Sequence, residues 1–240
     1  MSNSPTAVIL GAGPGLGMSL AHRFGKEGYS VALVSRSADR HSGYLSSLRS
    51  AGVEAESFTA DLMDRDGLEA VLDEISARFG TVDAVYYGPG APNAGNPVPI
   101  TEMDSKDAGQ QMETVYRAMD AVAKVLPGMV ERGNGALLFA TGIGSITPMP
   151  QIGSLAVISA AMRNYATTLN AGLAGTGVYA GALTIGGAIE RSDIYRTLEA
   201  NAESMGDPAK FSLNPDEIAD GAWKLVAERD RPEAVFNALG

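Results

Sequence analysis

The chain has no cysteine, and only two histidines and one tryptophan in 240 residues. Without cysteine there is no disulfide, no thiolate nucleophile and no zinc-thiolate centre, which fits a reducing compartment, so a cytoplasmic protein is expected. The histidines do not fill the gap. His22 falls in a predicted helix and His41 in a polar turn, and neither has a second histidine or a carboxylate at ligand spacing, so both read as surface or capping residues and no metal site is expected. Positive charge is also scarce: 18 Lys plus Arg stand against 28 Asp plus Glu, a net charge of −10. No basic run is present to neutralise a row of phosphates, so nucleic acid is not an expected partner. The longest apolar stretch, around Tyr179 to Ile189, is interrupted by glycines and falls far short of the ~18 to 20 residues that a bilayer span needs, so no membrane association is expected. The opening "MSNSPT" has neither a basic region nor an apolar one, and no secretory signal is expected from it. No repeat, low-complexity tract or linker interrupts the chain.

What is present is a rhythm. Apolar runs of strand length alternate with amphipathic stretches: "AVILGAG", Leu16 to Gly25, "SVALVSR", Tyr44 to Ala51, "AESFTADL", Leu68 to Phe79, "VDAVYYG". Lys106 to Arg132 then reads as a long helix, "GALLFATG" as a strand, Leu155 to Leu173 as a helix and "VYAGALTIGG" as a last parallel strand. Short buried strands alternating with helices define an α/β fold, a single-domain Rossmann-type, doubly wound parallel sheet of about seven strands. Residues 1–240 are long enough for one such domain. The stretch from Ala188 to Leu213 is polar and reads as an irregular small lobe, a mobile lid over a substrate. Asn214 caps a final helix with Pro215 at its first position, and "EAVFNA" is expected as a closing edge strand.

The join of the first strand and first helix, "GAGPGLG", carries Gly11, Gly15 and Gly17. Glycines there permit a tight turn, and the helix N-terminus offers free N–H groups to a pyrophosphate. The second strand ends in Ser35 and Arg36 rather than an acid; the nearest, Asp39, comes three residues too late. An acid at this position usually holds a ribose 2′-hydroxyl, whereas an arginine accommodates a 2′-phosphate, so NADP(H) is the expected cofactor unless Arg36 is a solvated turn residue. Asp61 and Leu62 end the third strand, and Asp61 could alternatively cap the helix that follows.

The Gly-x-x-x-Gly-x-Gly spacing resembles the short-chain dehydrogenase/reductase family, and the resemblance extends from about Thr6 to the last strand. It implies that Gly11, Pro14, Gly15, Leu16 and Gly17 cradle the cofactor, with Ser35 and Arg36 at the ribose phosphate, Asp61 and Leu62 at the adenine, and Gly88, Gly90 and Gly186 further along the groove. Where the family writes Asn-Asn-Ala-Gly, this chain writes Tyr87, Gly88, Pro89, Gly90. The family's catalytic Asn, Ser, Tyr and Lys fall on Thr114, Gly142, Leu155 and Ser159, so all four are replaced. "GAGPGLG", "LLFATGIGS" and "TIGGAI" look like a divergent subgroup that commonly lacks the tyrosine as well. The family also implies a homodimer or homotetramer, paired through the two long helices, whose small and apolar residues exceed what one sheet face can cover.

A leucine in the proton donor's place forfeits a contribution typically worth ~10² to 10⁴ in rate. Plain ketones are therefore disfavoured as substrates, whereas an imine or iminium, a quinone or an enone needs less help. Ser145, Tyr87 and Ser159 are the candidate replacement donors, with Tyr86 beside them. Two functions remain open: an NADP(H)-dependent oxidoreductase acting on an activated small molecule, or a catalytically inactive NADP(H)-binding protein with a structural or redox-sensing role.

Overall fold

The computed structural model describes residues 4–90 and 97–239, leaving out of the side-chain description Ser204 and Met205. The first three residues of "MSNSPT" therefore lie outside the described part. Strands β1 (Thr6–Leu10) and β2 (Ser30–Ser35) flank helix α1 (Leu16–Lys26); α2 (His41–Ser50), β3 (Ala55–Thr59), α3 (Arg65–Phe79) and β4 (Ala84–Tyr87) complete the first half. The second half runs α4 (Ser105–Arg132), β5 (Gly135–Gly142), α5 (Gly153–Gly172), β6 (Val178–Gly186), a lobe, α8 (Pro215–Glu228) and β9 (Glu233–Asn237). Among the described residues seven strands form one sheet in the order β3-β2-β1-β4-β5-β6-β9, with every neighbouring pair parallel.

The central strands are covered on both sides, which is why their sequences are continuous apolar runs rather than alternating ones. All five residues of β1 are buried. Two apolar cores result. Val8, Leu10, Tyr87 and Phe139 pack against α3, α4 and α5, while Ile9, Leu33, Tyr86 and Leu138 pack against α1, α2 and α8. Strand β6 is not the last parallel strand: α8 crosses back over the sheet and lays β9 alongside it in the same direction. Helix α8 starts as its sequence predicts, with the Asn214 side chain accepting from the Asp216 N–H at 2.9 Å.

The lobe is more regular than its polar sequence suggests. It consists of β7 (Ala188–Ile189), α6 (Asp193–Ala200), α7 (Ala202–Met205), a 3-10 turn (Pro208–Phe211) and β8 (Ser212–Leu213), with β7 and β8 paired in parallel. Tertiary ties hold these short pieces. Ser212 donates to Glu190 at 2.9 Å, Arg191 pairs with Asp216 at 2.8 Å and reaches Ser19 at 3.1 Å, and Arg40 pairs with Asp193 at 2.7 Å. His41 also departs from its sequence reading: it is 7% exposed, opens α2, and its Nε2 lies 2.7 Å from the Ser35 hydroxyl. Burial holds its pKa below the ordinary value, against the pull of Asp39.

Candidate active site

The strand order reverses direction between β1 and β4, and in an open parallel sheet the crevice at the carboxyl ends of such a pair is where ligands bind. Here the chain is stripped of side chains. Gly11 has φ +103°, and a Cβ on it would lie 2.6 Å from the Gly88 carbonyl oxygen, so the turn after β1 and the turn after β4 touch backbone to backbone. A Cβ on Gly15 would meet the Glu190 carbonyl at 3.0 Å, which places the lobe directly over the glycine turn. Helix α1 starts at Leu16, and its N-cap, Gly15, supplies no side-chain cap, so the helix's positive dipole end lies toward the crevice.

A groove of about 850 Å³ opens there. Its walls include Gly11, Pro14, Gly15, Leu16, Gly17, Ser35, Arg36, Asp61, Leu62, Gly88 and Gly90, so the structure brings together every predicted cofactor residue except Gly186, which lines the adjoining cavity. Arg36 is exposed at the rim and, among the described residues, has no carboxylate partner, unlike Arg40. The Ser35 hydroxyl is occupied locally, donating to the Ser37 carbonyl at 2.9 Å beside His41. Asp61 does not cap α3. Its carboxylate accepts from the Met63 N–H at 3.0 Å, and the cap is Asp64, which accepts from Gly67.

Beyond the groove, and sharing Pro89, Ala140, Ile185 and Ile194 with it, lies a cavity of about 520 Å³. Thr114, Gly142, Leu155 and Ser159 all line it. Leu155 and Ser159 face it together because residues four apart on a helix project from one side. Apart from Thr141 its remaining wall is apolar, with Ile143, Met149, Ile158, Met162, Leu198 and Phe211 among its members, and no ionisable side chain lines it among the described residues. Thr141, a third hydroxyl in the wall, is committed to the Ser159 carbonyl at 2.8 Å.

The candidate donors are placed unequally. Ser159 stays in the cavity wall. Ser145 donates to the Gly142 carbonyl at 2.8 Å and lines neither cavity nor groove. Tyr87 is 1% exposed in the core on the α3–α5 side, and its hydroxyl donates to the Thr114 carbonyl at 3.0 Å. Tyr86 points to the opposite side of the sheet, where its phenol packs against Gly88 and borders the groove. Burial raises the pKa of both phenols well above the ordinary tyrosine range, so both stay protonated.

Comparison with known proteins agrees with this architecture. The short chain dehydrogenase family pattern matches residues 5–202, and the chain belongs to that family of oxidoreductases. It is 28% identical over 183 residues to a short chain dehydrogenase of Pseudocercospora fijiensis, covering 75% of this chain and 59% of that one. It is 29% identical over 231 residues to the 1-deoxy-11-beta-hydroxypentalenate dehydrogenase of Streptomyces exfoliatus, covering 92% and 78%. The chain spans only 52% and 59% of the length of two curated relatives it matches. Its fold superimposes on that of L-sorbose reductase from Gluconobacter frateurii, solved with NADPH and L-sorbose, with a TM-score of 0.85 and 23% identity over 98% of this chain and 95% of that one. No helix among the described residues is long and apolar enough to cross a membrane.

Proposed function

We propose that the chain is a cytoplasmic, NADP(H)-dependent oxidoreductase that transfers hydride to an already electrophilic small molecule, an imine, quinone or enone rather than a plain ketone. The bare glycine crevice and the uncapped α1 N-terminus fit a pyrophosphate, and Arg36, without a carboxylate partner among the described residues, fits a ribose 2′-phosphate. In this reading Gly11, Pro14, Gly15, Leu16 and Gly17 hold the pyrophosphate, Asp61 and Leu62 border the adenine, and Gly88, Gly90 and Gly186 keep the inner groove open. The NADPH-bound state of the sorbose reductase of like fold supports the same cofactor. A bound nicotinamide would supply the hydride.

The observation that carries the proposal is the wall of the inner cavity. With Leu155 in the proposed donor position and no ionisable side chain in the lining among the described residues, the cavity offers no strong acid to a developing alkoxide. A substrate whose reduced form delocalises its charge, or which is already protonated, escapes that requirement. The test is anaerobic mixing with NADPH across a panel of imines, quinones, enones and ketones, following the absorbance of the reduced nicotinamide. Turnover confined to the activated compounds is expected, and efficient reduction of plain ketones would overturn the reading. NADPH binding with no turnover on any of them would leave the alternative, a binding protein in which occupancy supports an assembly or reports redox state; the replacement of all four tetrad positions favours that alternative.

A further inference from the structure

Among the described residues, Thr114 in the wall of the inner cavity carries a buried hydroxyl with no assigned work. Thr114 is 6% exposed in the middle of α4, and its Oγ1 is buried without a hydrogen-bond partner among the described residues. A threonine in a helix ordinarily spends its hydroxyl on the carbonyl three or four residues earlier. Thr114 does not, although its own carbonyl is engaged by Tyr87. An unsatisfied buried hydroxyl costs stability, and a valine of the same shape would remove that cost. The side chain therefore does nothing for the fold that valine would not do better.

The setting points to a ligand. Thr114 lines a cavity of about 520 Å³, within the range of small-molecule sites, whose other hydroxyls are Thr141, already committed, and Ser159 across from Gly142. No hydrogen bond among the described residues fixes the Thr114 hydroxyl, and a helical threonine has two χ1 wells open to it, so a ligand in the cavity that the residue lines can compete for it. Burying a charge in such a wall without a counter-ion is costly, whereas an uncharged apolar body with one acceptor matches it.

We infer that the Thr114 hydroxyl is the specificity-determining hydrogen-bond donor of this cavity, and that the substrate it selects is an uncharged, largely apolar molecule bearing a carbonyl-type acceptor. This rests on reading the cavity as the substrate site. It narrows the expected class to neutral quinones and enones and removes cationic iminium compounds.

The test separates binding from turnover. Binding of 1,4-naphthoquinone and of the bicyclic cation N-methyl-3,4-dihydroisoquinolinium is measured by calorimetry on the NADP⁺-loaded protein, where no reduction occurs. The absence of cysteine prevents loss of the quinone by thiol addition. The quinone should bind at least tenfold more tightly than the cation. Thr114→Val should weaken quinone binding roughly five- to tenfold, the share of one neutral hydrogen bond, while leaving NADP⁺ affinity unchanged and thermal stability equal or higher. Thr114→Ser should retain most of the binding. Equal quinone affinity in Thr114→Val, destabilisation of that variant, a cation that binds as well as the quinone, or no quinone binding at all would each overturn the inference. Thr114-dependent quinone binding without subsequent reduction by NADPH would sustain the inference and sink the proposed reaction. Quinone reduction indifferent to Thr114→Val would do the reverse.

Discussion

Arg36→Ala is the substitution on which the cofactor assignment turns. Arg36 stands one residue beyond β2 at the rim of the groove, exposed and unpaired among the described residues. The other nearby guanidinium, Arg40, is engaged by Asp193 at 2.7 Å, and the Ser35 hydroxyl is spent on Ser37. Discrimination between a 2′-phosphate and a 2′-hydroxyl therefore falls mainly on Arg36. A unit-charge pair at ~4 Å is worth about 1 kcal/mol in water and about 4 kcal/mol in the partly screened regime of a protein surface. An exposed residue belongs near the lower limit, so about 1.4 kcal/mol, or tenfold, is the expected preference for NADPH over NADH. Calorimetry at low ionic strength should show that preference in the parent and its near-abolition in Arg36→Ala, with NADH affinity unchanged. Raising the salt to ~1 M, where the Debye length falls to ~3 Å, should erode the preference in the parent as well. Equal affinities in the parent would refute the assignment of NADP(H). A preference that survives Arg36→Ala but disappears in Arg40→Ala would show that the Arg40–Asp193 pair opens on binding and that the wrong arginine was chosen.

Three further outcomes follow from the same geometry. Asp193→Asn removes an acid from the groove wall and frees Arg40; the pair is half exposed, so stability should change by less than ~1 kcal/mol while NADPH binding tightens roughly threefold, and weaker binding by calorimetry would contradict this. Glu233 accepts two hydrogen bonds from Arg163, each 2.6 Å, and another from Thr184, and these hold its carboxyl below the ordinary value of 4.5. Its contribution is therefore complete above that pH and lost as pH falls through the lower folded value, so thermal scans should show stability dropping on acidification, and less steeply in Glu233→Gln. Helix α4 exposes Tyr116, Met119 and Val130 along one stripe, which favours the expected homodimer or homotetramer; light scattering at micromolar concentration should give a multiple of the monomer mass, which a Tyr116→Lys, Met119→Asp variant should reduce.

The parallel sheet was legible because strands buried on both faces write themselves as uninterrupted apolar runs; β5 begins and ends at Gly135 and Gly142, as the sequence reading has it. The glycine crevice was legible because the β1–α1 join leaves few other uses for three spaced glycines. The lobe was not, since two-residue strands and short helices have no periodicity of their own and are held by side chains distant in sequence, such as Arg191 with Asp216. The burial of His41 is not legible in the sequence, because polar neighbours along the chain say nothing about what packs over a residue. The strand period carries one further signal. Adjacent strand residues point to opposite faces, so Tyr86 and Tyr87 could never both border the groove, and Tyr87 is the one turned into the far core. The unsatisfied hydroxyl of Thr114 has no counterpart in the sequence, because a missing partner is a property of the packed structure.

The proposed replacement of the tetrad can be tested by reversing it. If Gly142, Leu155 and Ser159 stand at the family's catalytic positions, the triple variant Gly142→Ser, Leu155→Tyr, Ser159→Lys puts three of the family's four side chains back into the one cavity wall that these residues line. The structure shows where the strain would fall: a Cβ on Gly142 would lie 2.8 Å from the Ser159 hydroxyl, while the Ser159 Cβ stands at 3.6 Å, an ordinary contact. In the triple variant the lysine Cγ takes the place of that hydroxyl and can turn away about χ1, so the cost should stay within the ~1 to 3 kcal/mol of modest overpacking. The lysine is the harder graft. No acidic side chain lines this cavity among the described residues, so desolvation would depress a lysine's pKa there and destabilise the unliganded protein unless an anionic ligand compensates. Ser159→Lys alone should thus lower the melting temperature, and NADPH should raise the melting temperature of this variant by more than it raises that of the parent. With Tyr at 155 and Ser at 142 also in place, reduction of a plain ketone should rise from near zero by a factor approaching the ~10² to 10⁴ typical of general acid catalysis. A folded variant that binds NADPH as the parent does and gains no ketone reduction would show that the cavity differs from the family's in more than its missing acid. Efficient ketone reduction by the parent would instead show that a proton donor is already present, and Ser159 or the Thr114 hydroxyl would then have to supply it.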